Sequence, residues 1–183
     1  MLFQFILMTF IMAQSYQTQP YELISVHQDV EIRYYPPAMK VKVSGPLRNN
    51  RNFNALFRYI SGDNDSREKI AMTTPVYMET QEDVQTMEFV LPKKYKETAP
   101  KPIAKGVKVY QSEQTYFAAI RYGGYSNESK VLKAKQRLFS VLDKEQIEIM
   151  GDILVLSYDS PYKFYNRRNE VIVKVMPVDI EKP

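Results

Sequence analysis

Two rhythms of apolar and polar residues run along this chain, and they recur in the same order. Met39-Lys-Val-Lys-Val43 alternates with period two, which predicts a half-buried strand ended by Gly45-Pro46. Phe53, Leu56, Phe57 and Ile60 then fall at i, i+3, i+4 and i+7, one face of a helix that Asn49 or Asn50 would cap. Ile70–Met78 and Thr86–Leu91 predict strands joined by an acidic loop over 79–85. The second half repeats this plan. Val107–Tyr110 and Tyr116–Tyr122 predict strands, Gly123-Gly124 a break, and Ser126 or Asn127 a cap. Val131, Ala134, Leu138, Val141 and Leu142 form an apolar helical stripe with Lys130, Lys133, Lys135 and Arg137 outside it. Ile153–Tyr158 and Val171–Val175 predict the closing strands.

Strand, break, helix, strand, strand therefore occurs twice, from about Met39 to Leu91 and from about Tyr116 to Val175. Two such β-α-β-β units predict an α+β fold, an antiparallel sheet with its helices on one side. Ahead of them, Tyr21, Leu23, Val30 and Ile32 mark short strand pieces around a polar turn, Ser25–Asp29. Glu31–Tyr35 is a strand ended by Pro36-Pro37, with Glu31 and Arg33 on a solvated face. The first helix must stop at Gly62-Asp-Asn64, where Gly62 can take the left-handed conformation. Pro75 cannot donate to a ladder, so the strand that holds it lies at an edge or is irregular there.

The ends differ from this body. Residues 1–13 are almost wholly apolar and are followed by polar Gln14–Pro20. The run is too short for a bilayer span of about 20 residues. It fits the core of a signal peptide, 1–14, cleaved near Met12-Ala13-Gln14, although no Lys or Arg precedes it. Export to a periplasmic or extracellular compartment is the expectation, with one domain over 21–178.

Composition narrows the chemistry. The chain has no cysteine, which removes disulfides, thiolate catalysis and Cys-based metal sites. Its one histidine, His27, excludes a His-rich metal cluster and reads as an exposed turn residue. Net charge is +4, but 21 acidic residues are mixed among 25 basic ones. No basic block of the kind nucleic-acid arms use is present, and Lys93, Lys94 and Lys96 read as a solvated rim. Phosphate-binding glycine loops, zinc-protease helices and nucleophile elbows are all missing. What remains is a binding surface built from 14 Tyr, nine Phe and nine Met.

Several motifs together point to a family. Tyr59-Ile-x-Gly-x-Asn64 runs into Lys69-Ile-x-Met-Thr-x-Pro-Val76. Glu31-Ile-Arg33-x-Tyr35 precedes them; Met87-x-Phe89-x-Leu-Pro92 and Pro100-x-Pro102 follow. Gly123-Gly-Tyr-Ser126, Tyr158-x-Ser-Pro161 and Asn166-Arg-Arg-Asn-Glu-Val171 complete the series. In this order the chain resembles the SOUL/haem-binding-protein family over roughly residues 21–176. The resemblance implies a distorted, barrel-like sheet of eight strands flanked by two long helices. It implies a non-enzymatic protein that binds haem or metal-free porphyrin, a tetrapyrrole, in an apolar cleft beside the first helix.

The matching positions are Phe53, Phe57 and Arg58 on that helix, with Tyr158 and Lys163 on the opposing segment. Phe53 and Phe57 would stack on the macrocycle, Arg58 and Lys163 would meet its propionates, and Tyr158 would stack or hydrogen-bond. Tyr34 stands where some members carry a histidine considered as an iron ligand. A porphyrin held by packing, without axial ligation, is the simpler expectation, with phenolate ligation by Tyr34 the other. If the whole stripe of the helix faced the sheet, Asn50, Asn54 and Arg58 would edge the cleft instead. Two other readings stay open. The repeated plan also resembles the GyrI-like small-molecule-binding domains, some of which are hydrolases; that chemistry would need a Glu and a Tyr to converge, such as Glu170 with a nearby Tyr. An interaction protein with a peptide or lipid groove is the other. Nothing in the sequence marks an oligomeric state.

Overall fold

A computed structural model describes residues 16–47 and 51–176. The segment 1–14 expected to be a signal peptide and the caps expected at Asn49 or Asn50 lie outside the described residues. Nine strands form one sheet in the order β2-β3-β9-β11-β10-β6-β7-β4-β8. They are β2 (Glu22–His27), β3 (Val30–Tyr35), β4 (Met39–Pro46), β6 (Val76–Gln81), β7 (Val84–Val90), β8 (Lys108–Gln111), β9 (Thr115–Gly123), β10 (Ile149–Ser157) and β11 (Arg168–Val175). Every pairing in it is antiparallel. Among the described residues β2 and β8 are the unpaired edges, so the eight-stranded, barrel-like sheet is corrected to an open one of nine strands. A short parallel ladder joins β1 (Gln17–Thr18) to β5 (Thr73–Thr74).

The duplication is visible in the sheet order. β4, helix α1 (Arg51–Ile60), β6 and β7 form one unit; β9, helix α2 (Glu128–Lys144), β10 and β11 form the other. The units meet where β10 pairs with β6. Each helix packs on the first and last strands of its own unit. Leu56, Tyr59 and Ile60 of α1 pack with Val41, Val43, Met87 and Phe89. Leu138, Val141 and Leu142 of α2 pack with Ile32, Ile120, Val171 and Val173. A third cluster, including Tyr35, Tyr77, Phe117, Leu156 and Ile172, covers the opposite face of the sheet.

Local boundaries follow from named residues. Asn127 caps α2 by accepting from the Lys130 amide at 3.0 Å. Gly62 closes α1 at φ +114°. Pro75 splits the strand expected over 70–78: β5 pairs with β1, and only β6 enters the main sheet. The acidic loop expected over 79–85 is corrected to a two-residue turn, Glu82-Asp83, because both strands extend towards it with Gln81 opposite Val84. The upstream turn likewise shrinks to Gln28-Asp29.

Candidate binding groove

Helix α1 is turned so that its apolar stripe divides. Leu56 and Ile60 go to the core with Tyr59, while Phe53 and Phe57 stay 36% and 50% exposed. A helix face that met only the sheet would have hidden all of them. The two phenyl rings stack 5.9 Å apart and 13° from parallel, and Phe53 meets the edge of Phe89 at 5.5 Å. Facing them is the segment that follows β10. Between lies an open groove of about 170 Å³, whose walls include Phe53, Phe57, Met72, Val76, Tyr158 and Pro161.

The wall opposite α1, Ser157–Pro161, is braced by the Asn166–Val171 motif. Arg167 is buried and donates to the carbonyls of Ser160 and Lys163 at 2.7 and 2.5 Å, tying the turn together. Asp159 accepts from Lys163 Nζ at 2.6 Å and from the Arg168 amide at 2.6 Å. Burial alone would raise the Asp159 pKa; those two bonds outweigh it and hold the carboxyl below its ordinary range. The Arg168 guanidinium lies 4.0 Å from the centre of the Tyr158 ring.

Beneath this wall sits a buried carboxylate. Glu170 has no exposed surface and receives Arg33 through both oxygens, at 2.7 and 3.1 Å. Arg168 donates to it at 2.7 Å and the Tyr158 hydroxyl at 2.8 Å. Burial raises the Glu170 pKa, but the two guanidiniums outweigh it and keep the carboxyl ionised below its usual range. Burial, then the charge of Glu170, pushes Tyr158 well above the ordinary phenol value. Tyr158 therefore remains a phenol that donates to Glu170. The expected meeting of Glu170 with a Tyr is present, but the carboxylate is covered by two arginines rather than open to a ligand.

The other candidate residues are placed as follows. Arg58 is exposed at the edge of α1 and donates to Asp63 at 2.6 Å. Lys163 is held by Asp159, and Asn54 is exposed on the outer side of α1. Tyr34 is not brought to the groove. It lies on β3, three strands from β10, against Tyr116 at 5.3 Å and with its hydroxyl on Gln114 at 3.1 Å. His27 is also remote, on the edge strand β2, with Nδ1 3.0 Å from Glu145. Neither Tyr34 nor His27 is placed to ligate a metal in the groove. Among the described residues no cluster of three His, Cys, Asp or Glu could hold a metal ion, and no helix is long and apolar enough to cross a membrane.

The family model for the SOUL heme-binding protein matches residues 16–174. The chain belongs to the SOUL heme-binding protein family. It is 28% identical to mouse Heme-binding protein 1 over 124 residues, 63% of this chain and 65% of that protein's length. It is 30% identical to human Heme-binding protein 2 over 156 residues, 77% of this chain and 75% of that one. Among solved structures, a hydrolase from Listeria innocua superposes with a TM-score of 0.59 at 10% identity, covering 83% of this chain and 94% of that one. The EcmrR C-terminal domain does so at 0.56 and 10%, covering 86% and 99%. Likeness at that level is one of fold alone.

Two readings from sequence need correction in this SOUL protein. Glu31 and Arg33 are not a solvated strand face: Arg33 is 2% exposed and anchors Glu170. Lys40, placed by simple alternation on the polar side of β4, is 7% exposed and paired with Glu88 at 3.2 Å. Both follow from the third core cluster, which covers the face that alternation assigned to solvent. The Glu31-x-Arg33 and Arg168-x-Glu170 spacings put these charges on strand faces, but the pairing of Arg33 with Glu170, 137 residues apart, has no local signal.

Proposed function

We propose that this SOUL protein binds a tetrapyrrole, haem or metal-free porphyrin, in the groove between α1 and the Ser157–Pro161 segment. The observation that carries the reading is the stacked, solvent-facing Phe53–Phe57 pair opposite Tyr158 and Pro161. Such a pair offers a flat apolar face for a macrocycle. The groove suits the group's faces better than its volume. At about 170 Å³ it lies below the roughly 300–1,000 Å³ of enclosing ligand pockets, so the macrocycle would be gripped along one side and partly exposed. Arg58 and Lys163 lie within two positions of its walls, and propionates would compete with Asp63 and Asp159 for them. Bound iron would supply redox or ligand-exchange chemistry; packing on Phe53 and Phe57 needs none, so haem and metal-free porphyrin should bind alike.

Titration of the purified chain with haemin and protoporphyrin, followed at the Soret band, tests this. Saturable binding below about 10 µM, near −7 kcal/mol, is expected for both ligands. Phe57→Ala should weaken each about tenfold or more, and Tyr34→Phe should change neither. Absence of saturable binding, or a ligand-dependent Soret shift that Tyr34→Phe abolishes, overturns the reading. We propose too that the chain is exported after cleavage near Ala13. Intact mass of the protein from its native source should then begin at Gln14, and a retained Met1 would count against export.

A further inference from the structure

A second, roomier cavity lies on the other face of the sheet. Val76 lines the groove beside α1, whereas Tyr77, its neighbour on β6, lines this cavity, so the two spaces are separated by the sheet itself. It encloses about 470 Å³ and opens to solvent. Tyr35, Tyr77, Tyr110 and Phe117 supply aromatic walls. Its charged lining is four carboxylates, Glu79, Glu88, Glu113 and Asp152, against two amines, Lys40 and Lys174.

Lys40 is the unusual member. It is 7% exposed, its Nζ lies 3.2 Å from Glu88 Oε2, and it sits 3.5 Å from the centre of the Tyr77 ring. The Tyr110 hydroxyl donates to the other Glu88 oxygen at 2.7 Å. An amine, a carboxylate and a phenol are thus joined in one hydrogen-bonded chain at the wall of a ligand-sized space. Lysines take this position when a buried amine must act as a nucleophile. Burial lowers the Lys40 pKa; Glu88 opposes that fall, and Lys174 and Lys42 add to it.

We propose that Lys40 captures an uncharged aldehyde or ketone in this cavity as a reversible iminium. Glu88 accepts a proton from the Lys40 ammonium, and the freed nitrogen lone pair attacks the carbonyl carbon. The carbonyl oxygen receives a proton from Tyr110, which recovers one through Glu88, and the carbinolamine forms. The nitrogen then gives its second proton through Glu88 and Tyr110 to the carbinolamine hydroxyl, the nitrogen lone pair closes the C=N bond, and the C–O bond breaks to release that oxygen as water. Ammonium plus carbonyl gives iminium plus water, so atoms and charge balance without an oxidant or reductant. The positive charge stays on the same nitrogen, beside Glu88 and over Tyr77. The ion pair that protects Lys40 at rest therefore also stabilises the product. The acidic excess in the lining selects against anionic carbonyl compounds.

Lys40 lies across the sheet from the tetrapyrrole groove, so its chemistry is separable from tetrapyrrole binding in the intact chain. The protein is incubated at neutral pH with 2-naphthaldehyde and cyanoborohydride, which reduces any imine to a stable amine. Adducts are then mapped by mass spectrometry. Lys40 should be labelled at least about tenfold faster than Lys42, two positions along the same strand, a difference of about 1.4 kcal/mol. That preference should vanish with 4-carboxybenzaldehyde, and Lys40→Arg should remove the favoured adduct. Equal labelling of Lys40 and Lys42, or a preference that survives the carboxylated aldehyde, overturns the proposal. The comparison of two lysines within the wild-type chain holds even if the Lys40 variant fails to fold.

Discussion

Glu170 shows how one side chain organises a wall. It receives Arg33 from β3, Arg168 from its own strand and Tyr158 from the end of β10. Removing its charge leaves two guanidiniums without their partner, which costs about 3–5 kcal/mol when the pair is buried. Glu170→Gln should lower the unfolding free energy from urea titration by that amount at pH 7 and loosen the Tyr158 side of the groove. The folded pKa of Glu170 lies below the unfolded value, so its stabilisation is full above the unfolded carboxylate pKa of about 4.3 and is lost as pH falls through the folded one. Urea midpoints measured from pH 7 to pH 3 should therefore drop below about pH 4 in the wild type and fall less in Glu170→Gln. A variant curve parallel to the wild type would show that Glu170 does not carry the acid sensitivity. The residues of this cluster stood in the sequence as Glu31-x-Arg33 and Arg168-x-Glu170, yet alternation placed the first pair in water. Period-two reasoning assigns a face to a strand; it does not reveal that both faces of a sheet are covered.

Among the elements, the Tyr59–Val76 stretch is a brace at its Asn64 end and a groove wall at Met72 and Val76. The Asn64 side chain donates to the carbonyls of Tyr59 and Glu68 at 3.0 and 2.8 Å and accepts from the Glu68 amide at 3.0 Å. It thereby joins the end of α1 to the chain leading into β5. Asn64 is fully buried, and although the Tyr59 carbonyl keeps the Gly62 amide at 3.3 Å, Asn64→Ala takes the side-chain partner from both the Glu68 amide and the Glu68 carbonyl, at about 1–3 kcal/mol for each left unpaired. A fall of at least about 2 kcal/mol in unfolding free energy, with an unchanged m-value, is expected from urea titration. The exposed Asn127 cap of α2 is a milder case: Asn127→Ala should cost about 1 kcal/mol and leave haemin titration untouched. Helix and strand identities were legible because their apolar periods are long and regular. The rotation of α1 was not. Phe53, Leu56, Phe57 and Ile60 share one stripe in sequence, but Tyr59 competes for the buried side, reaching the Pro100 carbonyl at 2.8 Å. That contact is long-range and leaves no local signature.

For the whole molecule, duplication separates stability from the groove. Each unit has its own helix-covered core, but the strands run on as one sheet, with β10 paired to β6 across the junction. A break in either core should therefore unfold both units in a single transition. Leu56 and Leu138 are fully buried under α1 and α2 respectively. Replacing either with alanine should cost about 2–5 kcal/mol, the usual price of a cavity at a buried leucine. Their effects on ligand should differ. Leu56→Ala lets α1 re-seat and moves Phe53 and Phe57, so haemin affinity should fall; Leu138 lies under α2, which lends no side chain to the groove, so Leu138→Ala should leave affinity unchanged. Haemin at about 100 times its Kd should then add about 2.7 kcal/mol to the wild type and to Leu138→Ala, and less to Leu56→Ala. Denaturant titrations with and without haemin measure both quantities at once. Two resolved transitions would contradict the continuous sheet, and equal loss of haemin stabilisation in the two variants would contradict the position of the groove.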